Sequence, residues 1–141
     1  MSKPSFVGFQ EKVVIPEGFE LLEIREVISS DLDKDKLFTL LGTASGLSQW
    51  FYEIKDLDLR PGGKINFIGD QGEQLKAVCT SILFGKEISL IADTFGNFAA
   101  KVGKAGTSQS IELHFKILTN DVLGKRMRIE SSIQKLRAIV S

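Results

Sequence analysis

The side chains able to do chemistry are few in this sequence. There is one histidine, His114, and one cysteine, Cys79. His114 falls in the alternating run Ile111–Ile117, on the same face as Glu112 and Lys116. A general base needs an oriented partner within hydrogen-bond reach. Strand residues two apart are only same-face neighbours, so His114 reads as a surface residue. Cys79 lies among Ala77, Val78 and Thr80. A reactive thiol needs an electropositive, exposed setting, so Cys79 reads as buried and inert. Asp31, Asp33 and Asp35 alternate as in a calcium loop, but the loop's Gly and closing Glu are missing. They read instead as helix-capping residues. Arg60 with Asp56 and Asp58 reads as a charged strand face. Pro61-Gly62-Gly63 lacks the Gly-x-x-x-x-Gly-Lys spacing of a phosphate loop, and its glycines suit the positive φ of a hairpin turn. A single Cys permits no internal disulfide and no Cys-based zinc site, and a single His cannot supply the imidazoles of a catalytic metal. We therefore expect no catalytic residue, no metal and no cofactor, and a protein that is not an enzyme.

Composition points the same way. Lys and Arg number 18, as do Asp and Glu, within 141 residues. That balance disfavours a nucleic-acid binder, whose affinity comes from many Lys/Arg–phosphate contacts. No run of about 18 apolar residues occurs, so no membrane-spanning helix is expected. Met1-Ser2-Lys3-Pro4 begins no apolar leader, and a reducing, cytoplasmic setting is the expectation. The length suits one domain, residues 1–141, with 1–18 as an extended lead-in punctuated by Pro4, Pro16 and Gly18. An apolar share of 43%, including ten Phe, is enough for a core.

The elements that must position these residues follow from periodicity. Phe19–Ile28 reads as a first strand. Leu37, Leu40 and Leu41 then fall on one helical face, and Leu47, Trp50 and Phe51 on another, with Thr43 or Ser45 as cap. These predict two short helices in tandem. Strands follow around Asp56–Arg60, Ile65–Phe67, Glu73–Leu83, Lys86–Asp93 and Phe95–Val102, the last shorter and followed by a flexible turn at 103–106. The clearest alternation is Ile111, Leu113, Phe115 and Ile117. Asn120 or Asp121 caps a last helix, in which Val122, Ile129, Ile133, Leu136 and Val140 share a face with Met127 near it. Lys125, Arg126, Arg128, Lys135 and Arg137 read as its solvated side. About 20 residues at 1.5 Å each span about 30 Å, the width of a small domain. Alternating strands leave one apolar face, and only this helix is large enough to cover it. The fold class is α+β, an antiparallel sheet of about six or seven strands closed by a long C-terminal helix.

Three motifs in this order resemble the START-like (helix-grip) superfamily. Within it they are similar to bacterial relatives of the C-terminal domain of the activator of the ninety-kilodalton heat-shock chaperone ATPase. The motifs are Leu47-Ser48-Gln49-Trp50-Phe51, the hairpin Asp58-Leu59-Arg60-Pro61-Gly62-Gly63-Lys64, and the strand Ile111–His114. The resemblance covers about residues 20–140. It departs at Asp121-Val122-Leu123-Gly124-Lys125, where the family often has Gly-Trp. It implies a helix-grip fold with the sheet curved around the long helix and an apolar pocket on the concave face. Together with the alternation, it names Trp50, Phe51, Phe67, Leu90, Phe98, Phe115 and Ile133 as the lining. The function it implies is non-catalytic binding of a small hydrophobic ligand, a lipid or an aromatic compound. The alternative is a co-chaperone-type interaction module with a heat-shock chaperone as partner. Either a monomer or a homodimer fits.

Overall fold

The computed structural model describes residues 15–141, so most of the expected lead-in, 1–14, lies outside the described residues. The chain runs β1 (Glu20–Ser30), α1 (Lys34–Gly42), α2 (Ala44–Trp50), β2 (Glu53–Leu57), β3 (Lys64–Ile68), β4 (Gln74–Leu83), β5 (Glu87–Ala92), β6 (Gly96–Ala105), β7 (Ser108–Thr119) and α3 (Val122–Val140). The seven strands form one sheet in the order β1-β7-β6-β5-β4-β3-β2, with every neighbouring pair antiparallel. Six strands follow one another as hairpins. Only β1 is displaced, brought beside β7 by the two helices that separate it from β2. The ladder slips between Ile54 and Asp56 and between Cys79 and Ser81. Such bulges add twist and bend their strands, which helps give the sheet a concave side.

That side is set by alternation. Ile65 and Phe67, Ala77 and Cys79, Ile88 and Leu90, Phe98 and Ala100, and Ile111, Leu113, Phe115 and Ile117 all point inward and are buried. The helices cover them. The Asp33 carboxylate caps α1 by accepting from Lys36 N at 2.9 Å. Thr43 caps α2 by accepting from Gly46 N at 2.9 Å. A Cβ at Gly46 would collide with the Thr39 carbonyl and Leu40 Cα, so the two short helices sit as close as they do because that residue is Gly. Asp121 caps α3, which buries Ile129, Ser132, Ile133, Leu136 and Val140. The spacing of three, one, three and four residues is that of a single helical face. At its far end Ser30 Oγ donates to the Val140 carbonyl at 2.7 Å and ties β1 to the helix terminus. No described helix is long and apolar enough to cross a membrane.

Several sequence expectations are corrected. The second strand is Glu53–Leu57 rather than Asp56–Arg60. Asp58 and Arg60 lie in the following turn, where the guanidinium grips the carboxylate at 2.7 and 2.8 Å. The stretch 103–106 is mostly strand. Gly103↔Ser110, Lys104↔Gln109 and Ala105↔Ser108 continue the ladder, and Gly106, at φ +66°, lets the reversal occur in two residues. The first strand extends through Ser30, and of the three aspartates read as helix-capping it is Asp33 that caps α1. Met127 lies off the buried face of α3 and is 62% exposed.

Candidate functional site

All seven residues expected to line a pocket are buried on the concave side. Trp50 comes from the end of α2, and its indole N–H donates to the Leu40 carbonyl at 2.8 Å. This bond fixes the ring against α1. Phe51 stacks on Phe98 with centroids 4.6 Å apart and planes 22° apart. Phe98 in turn meets Phe115 at 4.9 Å. Leu90 pairs with Phe98 across β5 and β6. Phe67 joins the group through Tyr52 at 5.2 Å and Phe95 at 5.6 Å. Ile133 faces them from α3. Tyr52 and Phe95 escape a reading based on alternation because both stand outside regular elements, one after α2 and one in the β5–β6 turn. The rings contact one another, and centroid separations of about 4.5–7 Å are those of favourable aromatic pairs.

Arg128 overturns another expectation. It belongs to the basic set read as a solvated helix face, yet it is tucked into the end of the sheet. Its Nη2 donates to the Phe51 carbonyl at 2.6 Å and its Nε to Asp70 at 2.6 Å; Nη1 donates to Ser132 Oγ. The guanidinium carbon lies 4.0 Å above the centre of the Tyr52 ring. Burial pushes the Tyr52 phenol pKa up, and the Arg128 charge acts in the opposite direction. Lys125, one turn earlier, donates to the Thr94 carbonyl at 3.0 Å. The first half of α3 is thus fastened by cations to turns at one end of the sheet.

A groove opens between α3 and the inner face of β1. It has a volume of about 530 Å³ and is lined by Ile24, Glu26, Met127, Glu130, Ser131, Ile133, Gln134 and Arg137. Ile24, Met127 and Ile133 give it apolar walls. Leu123, one turn before Met127, is 69% exposed and extends the apolar strip along the helix. Glu26 and Arg137 form an ion pair that spans the groove. The register places Phe115 opposite Ile24 and Leu113 opposite Glu26, both buried behind the groove's lining. Among the described residues β1 is an edge strand, which leaves the groove's outer side unwalled.

His114 lies on the convex face, as expected. Its partner is not Glu112 or Lys116 but Glu23 on β1, with His114 Nε2 and the Glu23 carboxylate 2.6 Å apart. Arg25 is directly opposite His114, and Glu23 is the diagonal neighbour. The His114 hydrogen bond holds the Glu23 carboxyl below its ordinary 4.5, and Arg25 adds to the effect. A depression of about 300 Å³ over the small Ala99 adjoins this pair, between Arg25, Val27, Lys101 and Glu112. Lys101 and Glu112 are themselves 3.8 Å apart. This face offers paired surface charges, with no nucleophile beside the imidazole. Cys79 is fully buried, its thiol pushed up by burial, and rests 3.4 Å from the Ser81 carbonyl. Among the described residues no three His, Cys, Asp or Glu side chains cluster as metal ligands would.

No family model and no curated protein matches this sequence. Solved structures do match it. The Aha1 dimer from Colwellia psychrerythraea has a TM-score of 0.68 to this chain at 12% identity, with 84% of this chain and 96% of that one covered. Protein BH1534 from Bacillus halodurans gives 0.68 at 16% identity, covering 85% and 97%. Protein MLL2253 from Mesorhizobium loti gives 0.67 at 15%, covering 85% and 96%. Agreement of backbones at such low identity defines a fold class, and that class is the Aha1-like helix-grip fold. The START-like resemblance of the sequence therefore holds at the level of the fold.

Proposed function

We propose that this chain is a non-catalytic binding protein that takes a small apolar ligand, a lipid or aromatic compound, into the groove between α3 and β1. The observation that carries this reading is the groove itself. Its volume falls within the roughly 300–1,000 Å³ of small-molecule sites, and Ile24, Met127 and Ile133 supply its apolar lining. Ile133 belongs both to the groove and to the expected lining. Trp50, Phe51, Phe67, Leu90, Phe98 and Phe115 form the packed apolar body behind it, and a ligand would be desolvated against Ile24, Met127 and Ile133 at about 25 cal/mol per Å² buried. The Glu26–Arg137 pair and Glu130 are the charged groups at hand. The non-catalytic part rests on the isolation of His114 and Cys79 from each other and from the groove. A thermal-shift panel of fatty acids, sterols and aromatic compounds tests the proposal. Stabilisation by at least one class, abolished by Ile133→Glu in a variant shown to fold, is expected. A panel without any shift would refute it.

A second reading has its own support in the fold shared with the Aha1 dimer. On that reading the chain is a co-chaperone-type interaction module acting on a heat-shock chaperone ATPase, as a monomer or a homodimer. Its test is the chaperone's ATPase rate with added protein. An unchanged rate, with no complex in a pull-down, removes it.

A further inference from the structure

We propose that the outer edge of β1 is the docking surface for a second copy of this chain, the two β1 strands pairing antiparallel about a two-fold axis at Ile24. The two edges of the sheet differ in kind. Among the described residues β1 and β2 each have a neighbouring strand on one side only. An edge strand invites pairing with another chain, and proteins blunt it by shortness, bulges, Pro or Lys. The β2 edge is blunted in this way. It has five residues, a bulge between Ile54 and Asp56, and Lys55 within that bulge. The β1 edge has eleven residues, with no Pro, Gly or Lys, and an unbroken register with β7 from Glu20 to Ser30. Inward charges also guard an edge, but here Glu20 lies at the strand's end and Glu26 is held by Arg137.

The order of side chains selects the occupant. The convex face of β1 carries Leu21, Glu23, Arg25 and Val27. Leu21 is 41% and Val27 56% exposed, and the Arg25 side chain 71%. Run in opposite directions across an axis at Ile24, this row complements itself. Leu21 meets Val27 of the second copy, Glu23 meets Arg25 of the second copy, and the axis repeats both pairs. The neighbouring registers fail. An axis at Glu23 sets Glu23 opposite itself, an axis at Arg25 sets Arg25 opposite itself, and like charges directly opposite are destabilising. Within one copy Arg25 reaches Glu23 at 3.1 Å, two residues along the strand. A directly opposite pair is closer, about 5 Å between Cβ atoms against about 6.6 Å for two steps along a strand. On the concave side Ile24 meets itself. Leu22 and Glu26, which share a level, already have partners in their own copy.

A stable interface takes about 800 Å² from each partner, more than a strand edge supplies. The exposed Leu123 and Met127 of α3 are the apolar surface at hand to extend it, and Met127 already borders the groove beside β1. The second copy then stands where the groove's outer side is unwalled. The dimer does not rest on the ligand reading, although it would enclose that groove further.

The test is sedimentation equilibrium of the full chain over a concentration series, in which a monomer–dimer equilibrium is expected. Arg25→Glu should weaken the dimer about tenfold or more, because the axis sets each new Glu opposite a Glu23 and so counts the change twice. Glu23→Arg combined with Arg25→Glu should restore it, since opposite charges face each other again. That rescue separates pairing at β1 from a loss of fold, and circular dichroism melts check that both variants are folded. Phe84→Ala, on the β4–β5 turn at a side chain 72% exposed, should leave the dimer unchanged. A monomer at every concentration would overturn the proposal and leave the edge to residues 1–14 or to a different partner. So would a dimer that Arg25→Glu leaves intact, a folded charge swap that restores nothing, or a dimer lost on Phe84→Ala. A failed ligand panel with a retained dimer would sink the groove reading alone.

Discussion

Truncating Arg128 to Ala tests whether α3 is fastened to the sheet by the contacts seen at its first half. The side chain is three-quarters buried and makes three hydrogen bonds, to the Phe51 carbonyl, Asp70 and Ser132, and covers the Tyr52 ring. Hydrogen bonds involving a charged group contribute about 1.5–3 kcal/mol each when partly desolvated. A cation over an aromatic face adds about 0.5–2 kcal/mol. These terms do not add, because one side chain makes them all, and water can reach the vacated site. The expected loss is about 2–4 kcal/mol, mostly from the Phe51 carbonyl left without its donor. Asp70 is 59% exposed, so Asp70→Asn should cost no more than about 1 kcal/mol. Arg128→Lys should recover little, since one ammonium cannot reproduce the planar fork. Urea denaturation followed by Trp50 fluorescence gives all three values, with a lower midpoint and an unchanged slope expected for Arg128→Ala. A loss below about 1 kcal/mol, or an Asp70→Asn loss equal to it, would refute the clamp.

Other outcomes follow from the same geometry. Phe98→Ala, at the centre of the ring cluster, should cost about 3–5 kcal/mol in urea, whereas Phe84→Ala should change stability little. The Glu23 carboxyl is depressed in the folded state. Its contribution is therefore present above the ordinary value of 4.5 and is lost as pH falls through the lower folded value. His114→Ala should shrink that part of the acid-side decline, and stability titrations from pH 6 to pH 3 that coincide for parent and variant would contradict the pairing. Cys79 should resist thiol reagents in the folded protein and react as unfolding exposes it; fast native labelling would show that the thiol is reachable.

Much of the fold was readable because two periods carry it. The alternation at Ile111–Ile117 and the helical spacing at Ile129, Ile133, Leu136 and Val140 each report one buried face. Turn chemistry was less legible. Asp58 and Arg60 alternate with apolar residues as a strand would, but pair with each other across a turn. Gly103-Lys104-Ala105-Gly106 looks like a turn, yet only Gly106 needs its positive φ. The Arg128 clamp was invisible because a cation that docks onto a carbonyl, a carboxylate and a ring is spelled like any solvated arginine. Its partners Phe51, Tyr52 and Asp70 are more than 55 residues away in the chain. The Glu23–His114 pair was missed for a related reason, since a diagonal neighbour on another strand appears only once the β1–β7 register is known. The interior lining was legible as buried, while the groove depended on how α3 tilts against β1, which no pattern within one element encodes.

The most direct test of the central claim is a titration of isotope-labelled protein with a medium-chain fatty acid or an aromatic hit from the thermal panel, followed by amide NMR. Ligand capture in the groove predicts saturable shifts concentrated at Ile24, Glu26, Met127, Ile133 and Arg137, with smaller ones at Leu113 and Phe115. Shifts confined to the convex face around His114, or none at saturating ligand, would contradict it.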